Sequence, residues 1–289
     1  MENSSPKIVE ESSFSKSFQK FSKNKLALAG AVYIIVLVLI SVLAPVVTPY
    51  DYDEVDKGHE VEGVTWGHWF GTDQLGRDMF SRNIYAARNA IGIGVGAVII
   101  GLLIGAILGS LSGYYGGVID MIMMRLVDIM IAFPQILLMV LLVGVMGRGM
   151  LTIFVAIGLT TWANYARLIR GQVLQAKNNE YVEAARCLGA KDGYIIRKYI
   201  FPNILGPIIV MVSFGIPDAM MAESGMSLLG MGLRPPMPSW GNLIADGTIQ
   251  ILGLPHLVLY PALTFGLTLL AFTFIGDGLR EVYAKSDTH

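Results

Sequence analysis

Charge-free apolar runs alternate with short polar segments along most of the chain. A transmembrane helix needs about 20 mostly apolar residues to cross the hydrocarbon core of a bilayer, and six runs are close to that length or exceed it. They cover residues 26–47, 89–119, 129–147, 149–166, 199–217 and 257–275. The second run has room for one helix and a short glycine-rich turn. The pattern predicts an all-α polytopic membrane protein with six transmembrane helices.

Composition narrows the class of protein further. Apolar residues make up 54% of the chain and charged residues 15%, against about 25% charged residues in a soluble domain, which excludes a soluble globular enzyme. The formal net charge of −1 leaves no basic footprint, so no nucleic-acid partner is expected. The single cysteine, Cys187, excludes an internal disulfide framework. The four histidines match no metal-site spacing, so no metal site is expected.

Lysine and arginine are distributed unevenly between the two sides that six spans would create. Fifteen of the 21 basic residues fall on the side that holds the two termini, and six fall on the other side. Because cytoplasmic loops are enriched in Lys and Arg, both termini are predicted to be cytoplasmic. The predicted organisation is a cytoplasmic tail at 1–25, a first transmembrane helix at 26–47, an acidic extracytoplasmic loop at 48–85, a helical core at 86–280 that contains a cytoplasmic loop at 167–198, and a cytoplasmic tail at 281–289.

The second apolar run carries glycines at a four-residue spacing. They are Gly101, Gly105, Gly109 and Gly113. On a helix this spacing makes a nearly continuous smooth stripe, along which another backbone can approach closely. The favoured interpretation is helix packing, and the alternative is that the stripe lines a pore.

The cytoplasmic loop has the features of a docking element. A helix is predicted over about 179–188 and is expected to end at Gly189, a residue type common just past helix C-termini. Asp192 is expected to cap a second short helix that runs to Tyr199. A compact basic helix–turn–helix of this kind favours a docking site for a cytoplasmic partner over a solvated connector.

The residues of this loop resemble a known motif. Glu183-Ala184-Ala185 followed by Gly189, and then Ile200-Phe201-Pro202, is similar to the EAA motif of ABC-importer permeases. The sequence departs from it at Phe201, where leucine is usual. The resemblance implies that this element couples the permease to an ATPase subunit. It assigns that coupling to Glu183, Ala184, Ala185, Gly189, Ile200 and Pro202.

Further matches resemble one subfamily, the second permease subunit of the dipeptide, oligopeptide and nickel importers. The matching segments are 70–78 with Ser81-Arg82, Asp128 with Ala132-Phe133-Pro134, Ala222-Glu223 with Ser227 and Leu229-Gly230, Pro235-Pro236 with 238–241, and 276–280. The resemblance covers roughly residues 20–280 and implies the six-helix fold of type I ABC importer permeases (MetI-like), with the permease core at 86–280. The subfamily's Asp-Pro ending is absent, which puts the role of the tail in doubt.

The resemblance also implies a set of partners and a location. They are a second homologous permease, two ABC ATPase subunits, an extracytoplasmic solute-binding protein and the lipid of a bacterial or archaeal cytoplasmic membrane. The chain has no Gly-x-x-x-x-Gly-Lys-Ser/Thr segment, so ATP and Mg are expected on the ATPases and no cofactor on this chain. The implied cargo is a dipeptide, an oligopeptide, nickel or a related small solute.

Three acids in or beside the apolar runs are candidates for the solute pathway. Ionisable groups at bilayer depth default to functional hypotheses, and these are Asp128, Asp218 and Glu223. Asp128 is also expected to form an ion pair with Arg125, three residues away on the same helix face. Asp218 and Glu223 are expected to face the pathway or the partner permease.

Two alternative functions would use polar residues in or beside the apolar runs. An ion-driven secondary transporter would use the three acids as a proton relay, but it leaves the EAA-like loop unexplained. An intramembrane serine protease would use Ser224 with His256, but the sequence around Ser224 lacks the first glycine of a nucleophile motif and His256 lies at an interface. We therefore predict no catalytic residue in this chain.

Overall fold

The computed structural model describes residues 19–284, and these are predominantly helical. A helical segment at 19–23 precedes the numbered helices. These are α1 (Lys25–Val42), α2 (Ala44–Val47), α3 (Met79–Tyr115), α4 (Gly117–Ala132), α5 (Gln135–Met146), α6 (Met150–Lys177), α7 (Glu180–Cys187), α8 (Asp192–Ile195), α9 (Phe201–Leu228), α10 (Trp240–Thr248) and α11 (His256–Ala284). A π-helical segment, Ile196–Ile200, joins α8 to α9.

The first apolar run, predicted as one helix over 26–47, is divided into α1 and α2. Asn24 caps the start of α1, where its side chain accepts a hydrogen bond from the backbone N–H of Ala27 at 3.2 Å. The run stays apolar to residue 47, but Pro45 cannot donate the backbone hydrogen bond that would continue the helix. The break therefore comes from backbone chemistry that an apolar count does not register.

The second run belongs to a helix that starts ten residues earlier than its apolar residues do. Helix α3 has 37 residues and begins after Asp78, whose carboxylate accepts a hydrogen bond from the backbone N–H of Ser81 at 2.7 Å. The helix extends upstream of the charge-free run at 89–119, and Arg82, which lies in this extension, is buried inside the fold. At 1.5 Å per residue, α3 is about 55 Å long, well beyond the roughly 30 Å of a hydrocarbon core.

The third predicted span, 129–147, is not a continuous helix. Helices α4 and α5 meet at an angle of 88°. The break lies at Phe133, which has an extended backbone (φ −83°, ψ 140°), and the residue before a proline is disfavoured in the helical region. Pro134 therefore divides this run into two differently directed helices.

Fewer helical stretches have the length and composition of a membrane span than the six that the sequence pattern predicts. Within residues 19–284, four helical stretches are long and apolar enough to cross a membrane, and the bent pair α4–α5 raises the number to five. The four are Lys25–Val42, Met79–Tyr115, Asp192–Leu228 and His256–Tyr283. Helix α6, which contains the predicted fourth span, is not among them, and polar residues interrupt its apolar sequence. The six-helix count and the cytoplasmic placement of both termini remain predictions.

The glycine stripe of α3 lies against α6. A Cβ atom added at Gly109 would lie 2.5 Å from the carbonyl oxygen of Ala166, and one at Gly113 would lie 2.9 Å from that of Arg170. Ordinary side chains cannot be accommodated at such distances, so the backbones of the two helices are in direct contact. None of the four stripe glycines lines the large cavity described below.

Candidate coupling element and solute cavity

The segment from α7 to the start of α9, residues 180–202, is the candidate coupling element. The helix predicted over about 179–188 is observed at Glu180–Cys187. It ends in a Schellman turn, in which the N–H of Gly189 bonds to the carbonyl of Arg186 at 2.9 Å and the N–H of Ala190 bonds to that of Ala185 at 3.1 Å. Gly189 has φ +81°, a conformation that residues with a Cβ rarely adopt.

The motif residues divide between the surface and the interior. Glu183, Ala184 and Gly189 are exposed, as is Pro202. Ala185 and Ile200 are buried in a core that also contains Val182, Ile195 and Ile204. One face of the element is thus fixed to the protein, and the other is free to contact a partner.

Asp192 does not act as the predicted helix cap. The cap position of α8 is Lys191, which makes no side-chain capping bond. Asp192 instead accepts a hydrogen bond from the hydroxyl of Tyr114 at 2.6 Å. The two residues are 78 positions apart, so no local sequence pattern predicts this contact.

A cavity of about 1720 Å³ lies between α3, α6, α9 and α11 and extends to the start of the coupling element. Its polar lining residues are Thr161, Asn164, Gln172, Gln175, Asn178, Asn179, Asn203, Glu180, Asp218 and Arg280, together with the tyrosines Tyr165, Tyr181 and Tyr283. Several of these residues come from α6. Their polarity explains why this helix is less apolar than the other long helices, since it faces an open space instead of lipid along one side.

Asp218 is the one predicted pathway acid that lines this cavity. It follows Pro217 in α9, and its side chain is exposed. Within residues 19–284 its carboxylate makes no hydrogen bond and no ion pair. The carboxylate is therefore available to a cationic group that enters the cavity.

Glu223 is not among the residues that line the cavity, and its assignment to the pathway or the partner permease remains a prediction. It is completely buried. Its carboxylate accepts hydrogen bonds from the hydroxyls of Ser227 at 2.7 Å and Ser224 at 3.4 Å, and Ser227 also contacts Ser239 at 3.0 Å. These serine hydroxyls replace water around the carboxylate, which allows it to be buried beneath the segment that leads to α10.

Asp128 pairs with a different arginine from the one predicted. Its carboxylate accepts a hydrogen bond from Arg167 of α6 at 2.7 Å, and both side chains are about half exposed. The helix-face argument favoured Arg125, but α6 brings a second guanidinium to the same carboxylate. The three predicted acids therefore occupy three separate environments, and the structure does not bring them together as a relay.

The predicted extracytoplasmic loop folds onto the start of α3 through charged groups. Asp73 pairs with Arg77 at 2.7 Å and lies 3.5 Å from buried Arg82, and His68 Nδ1 contacts Asp78 at 3.0 Å. Arg82 also donates to the carbonyls of Tyr52 at 2.8 Å and Pro236 at 3.3 Å, and so ties the loop to the segment before α10. Within the described residues, no three His, Cys, Asp or Glu side chains are grouped to hold a metal ion.

Comparison with known proteins places this architecture in a family. The sequence profile described as "Binding-protein-dependent transport system inner membrane component" matches residues 101–286. The profile of the "N-terminal TM domain of oligopeptide transport permease C" matches residues 12–61.

Individual relatives agree with the family profiles. The chain is 42% identical over 262 residues to the oligopeptide transport system permease protein OppC of Bacillus subtilis (strain 168), which covers 91% of this chain and 86% of that protein. It is 42% identical to the dipeptide transport system permease protein DppC of the same organism, over 92% of this chain and 83% of that protein. It is 38% identical to OppC of Escherichia coli (strain K12), over 99% of this chain and 96% of that protein.

A solved structure has the same fold. An inward-facing form of the MetNI methionine ABC transporter matches with a TM-score of 0.60 and 17% identity, over 71% of this chain and 97% of the matched chain. At this identity the match shows the fold alone. Together with the family profiles and the relatives, it establishes that the chain belongs to the family of binding-protein-dependent transport system inner membrane components, as a multi-pass ABC importer permease subunit.

Proposed function

We propose that this chain forms one wall of the solute pathway of an ATP-driven importer for dipeptides or oligopeptides, in the cytoplasmic membrane of a bacterium or archaeon. One observation carries the proposal: the cavity extends from Asp218 to Glu180 at the start of the coupling element. Motion applied to the coupling element would therefore act directly on the cytoplasmic base of the pathway.

The proposal assigns ATP and Mg to two partner ATPase subunits and no cofactor to this chain. The absence of a phosphate-binding loop motif from the sequence supports this assignment. On the exposed side of the coupling element, Glu183, Ala184 and Gly189 would contact an ATPase, together with Leu188, whose side chain is 88% exposed. The buried residues Ala185 and Ile200 would hold the element against α9, and Pro202 would start α9 directly after it.

Two further partners complete the proposed complex. A second, homologous permease would supply the opposite wall of the cavity. An extracytoplasmic solute-binding protein would deliver the solute, as the description of the family implies. In this scheme ATP binding brings the ATPases together, and their motion moves the coupling elements. The paired permeases then open outward, and ATP hydrolysis returns the complex to its inward-facing state.

The chemistry of the cavity supports a peptide cargo. Amide side chains such as Asn164 and Gln172 can donate to and accept from peptide groups. The unpaired Asp218 carboxylate suits the α-ammonium group of a peptide, since charge-assisted hydrogen bonds are stronger than neutral ones. The relatives named as oligopeptide and dipeptide permeases point to the same class of cargo.

The proposal as a whole is tested with the complex isolated through a tag on this chain and reconstituted in proteoliposomes. Uptake of tritiated dialanine and of a tritiated pentapeptide is expected to require ATP on the ATPase side and the solute-binding protein on the other. Uptake is expected to survive a protonophore when ATP is held constant. Uptake that a protonophore abolishes at constant ATP would contradict the proposal and favour an ion-driven carrier.

The substitution Asp218→Asn tests the assignment of the cargo. We expect it to raise the apparent KM for uptake of an unmodified peptide about tenfold, the loss expected for a hydrogen bond to a charged group. The same peptide with an acetylated amino terminus should be transported equally by both proteins, because it carries no ammonium group.

The control is Asp128→Asn, which removes a carboxylate that lies outside the cavity. Its exposed pair with Arg167 contributes little to stability, so uptake is expected to stay close to that of the unaltered protein. If Asp218→Asn affects acetylated and free peptides equally, the ammonium assignment is wrong.

A further inference from the structure

Tyr114, in the last turn of α3, joins the coupling element to the membrane helices. Its side chain is only 4% exposed. Its hydroxyl donates a hydrogen bond to Asp192 Oδ1 at 2.6 Å, at the first residue of α8. We propose that this Tyr114–Asp192 bond transmits motion between the coupling element and the helices that line the cavity, which makes Tyr114 a positioning residue for transport.

Tyr114 is held from more than one direction. Lys177, at the end of α6, donates to the backbone carbonyl of Tyr114 at 2.5 Å, and its Nζ lies 5.6 Å from the centre of the tyrosine ring. The guanidinium of Arg186, in α7, lies 6.0 Å from the same ring. Cations at such distances are attracted to an aromatic face. Contacts from α6, α7 and α8 thus converge on one side chain.

Helices α3 and α6, which both contribute to this junction, are packed closely against each other. The glycine stripe brings the two backbones into contact. Close to the junction, Asp120 at the start of α4 accepts hydrogen bonds from Arg170 of α6, from Nε at 2.5 Å and from Nη2 at 2.6 Å. Ser112 of α3 donates a hydrogen bond to the same carboxylate, so α3 is held to α6 both by backbone packing and through Asp120.

On the other side of the junction, α8 leads directly into α9. The stretch Asp192–Leu228 continues as a helix through its π-helical segment, and it carries Asp218 into the cavity. The Tyr114–Asp192 bond therefore links the α3–α6 wall of the cavity to the base of the α9 wall. When the coupling element moves, this bond determines whether the two walls move together.

The inference rests on the proposed function, because it requires ATPase motion to arrive through the coupling element. It is tested in the reconstituted complex with the ratio of tritiated dialanine transported to ATP hydrolysed. Tyr114→Phe keeps the ring and removes the hydroxyl, and Asp192→Asn keeps an acceptor oxygen but removes its charge. Tyr114→Phe is expected to lower the ratio about tenfold, the factor for the loss of a hydrogen bond to a charged group, and Asp192→Asn is expected to lower it by a smaller factor. The double variant should be no worse than Tyr114→Phe alone, since without the hydroxyl no bond is left for Asp192→Asn to weaken.

Tyr115→Phe is the matched control. The Tyr115 side chain is 48% exposed, and within the described residues its hydroxyl makes no hydrogen bond, so the transport ratio should not change. Additive losses in the double variant would overturn the inference. So would a loss confined to the yield of assembled complex, with a normal ratio per complex.

Gly189→Val separates this inference from the proposed function. If Tyr114→Phe and Asp192→Asn keep the normal ratio while Gly189→Val lowers it, coupling runs through the element but not through Tyr114. If all three variants keep the normal ratio, the proposed coupling function fails as well.

Discussion

Gly109→Leu is expected to prevent stable assembly of the protein. A Cβ atom at this position would lie 2.5 Å from the carbonyl oxygen of Ala166 and 3.1 Å from its Cα, and backbone atoms cannot move aside as a flexible side chain can. Overpacking usually costs about 1–3 kcal/mol, and an obstruction by backbone puts this case at or above the upper limit. We expect a large fall in the melting temperature of the detergent-solubilised protein and a matching loss of protein from the membrane fraction.

The control for this substitution lies on the facing helix. Gly171 of α6 is also helical, but a Cβ added there would have no neighbour within 4 Å. Gly171→Leu should therefore leave the melting temperature close to its starting value. Equal losses in the two variants would mean that the glycine stripe is not where the two helices make their tightest contact.

Gly189→Val is expected to abolish most ATP-driven uptake while the protein still assembles. Valine is strained at φ +81°, and the left-handed conformation costs roughly 1–2 kcal/mol for a residue with a Cβ. A Cβ here meets nothing within 4 Å inside the chain, so the fold itself has no clash to relieve. The turn after α7 would change shape at the surface proposed to contact the ATPase, and we expect uptake of tritiated dialanine to fall roughly tenfold or more.

Gly230 has the same left-handed backbone conformation as Gly189, and it lies at the end of α9 that is remote from the coupling element. It has φ +75° and open space around its Cβ position, and it ends α9 in the same type of turn. Gly230→Val carries the same backbone strain without touching the coupling element, and it should retain most of the uptake. Gly189→Asn should recover part of the uptake, because asparagine tolerates this conformation better than other residues with a side chain. Parallel losses at both glycines would attribute the effect to strain and not to coupling.

Local signals in the sequence predicted local structure well. The end of α7 is predictable because position 189 is a glycine, the residue type that most readily adopts the left-handed conformation found just past helix C-termini. The break at Pro134 is equally local, but a criterion based on the absence of charge does not detect it, because the break comes from the backbone restriction before a proline. The apolar run alone does not locate the start of α3, because Arg82 lies inside the helix and only the folded loop supplies its partner Asp73.

Contacts between distant residues were not predictable from one sequence. Asp128 was assigned to Arg125 because they share a helix face, whereas α6 brings Arg167 to the same carboxylate. The pairs Tyr114–Asp192 and Asp120–Arg170 join residues 78 and 50 positions apart. The resemblance to known permeases indicated which loop to examine, but it did not show that the cavity extends to that loop or that Glu223 lies outside it.

Because α3 is one uninterrupted helix, its number of residues fixes how the loop contacts at its start are rotated relative to the glycine stripe and Tyr114. One inserted residue in an α-helix turns everything beyond it by about 100° and advances it by about 1.5 Å. An insertion between Arg82 and Gly101 would therefore swing either the loop contacts or the glycine stripe and Tyr114 away from their partners. A seven-residue insertion, close to two full turns, would nearly restore the phase while lengthening the helix by about 10 Å. Helix α3 is thus constrained in its number of residues as well as in the side chains of its glycine stripe.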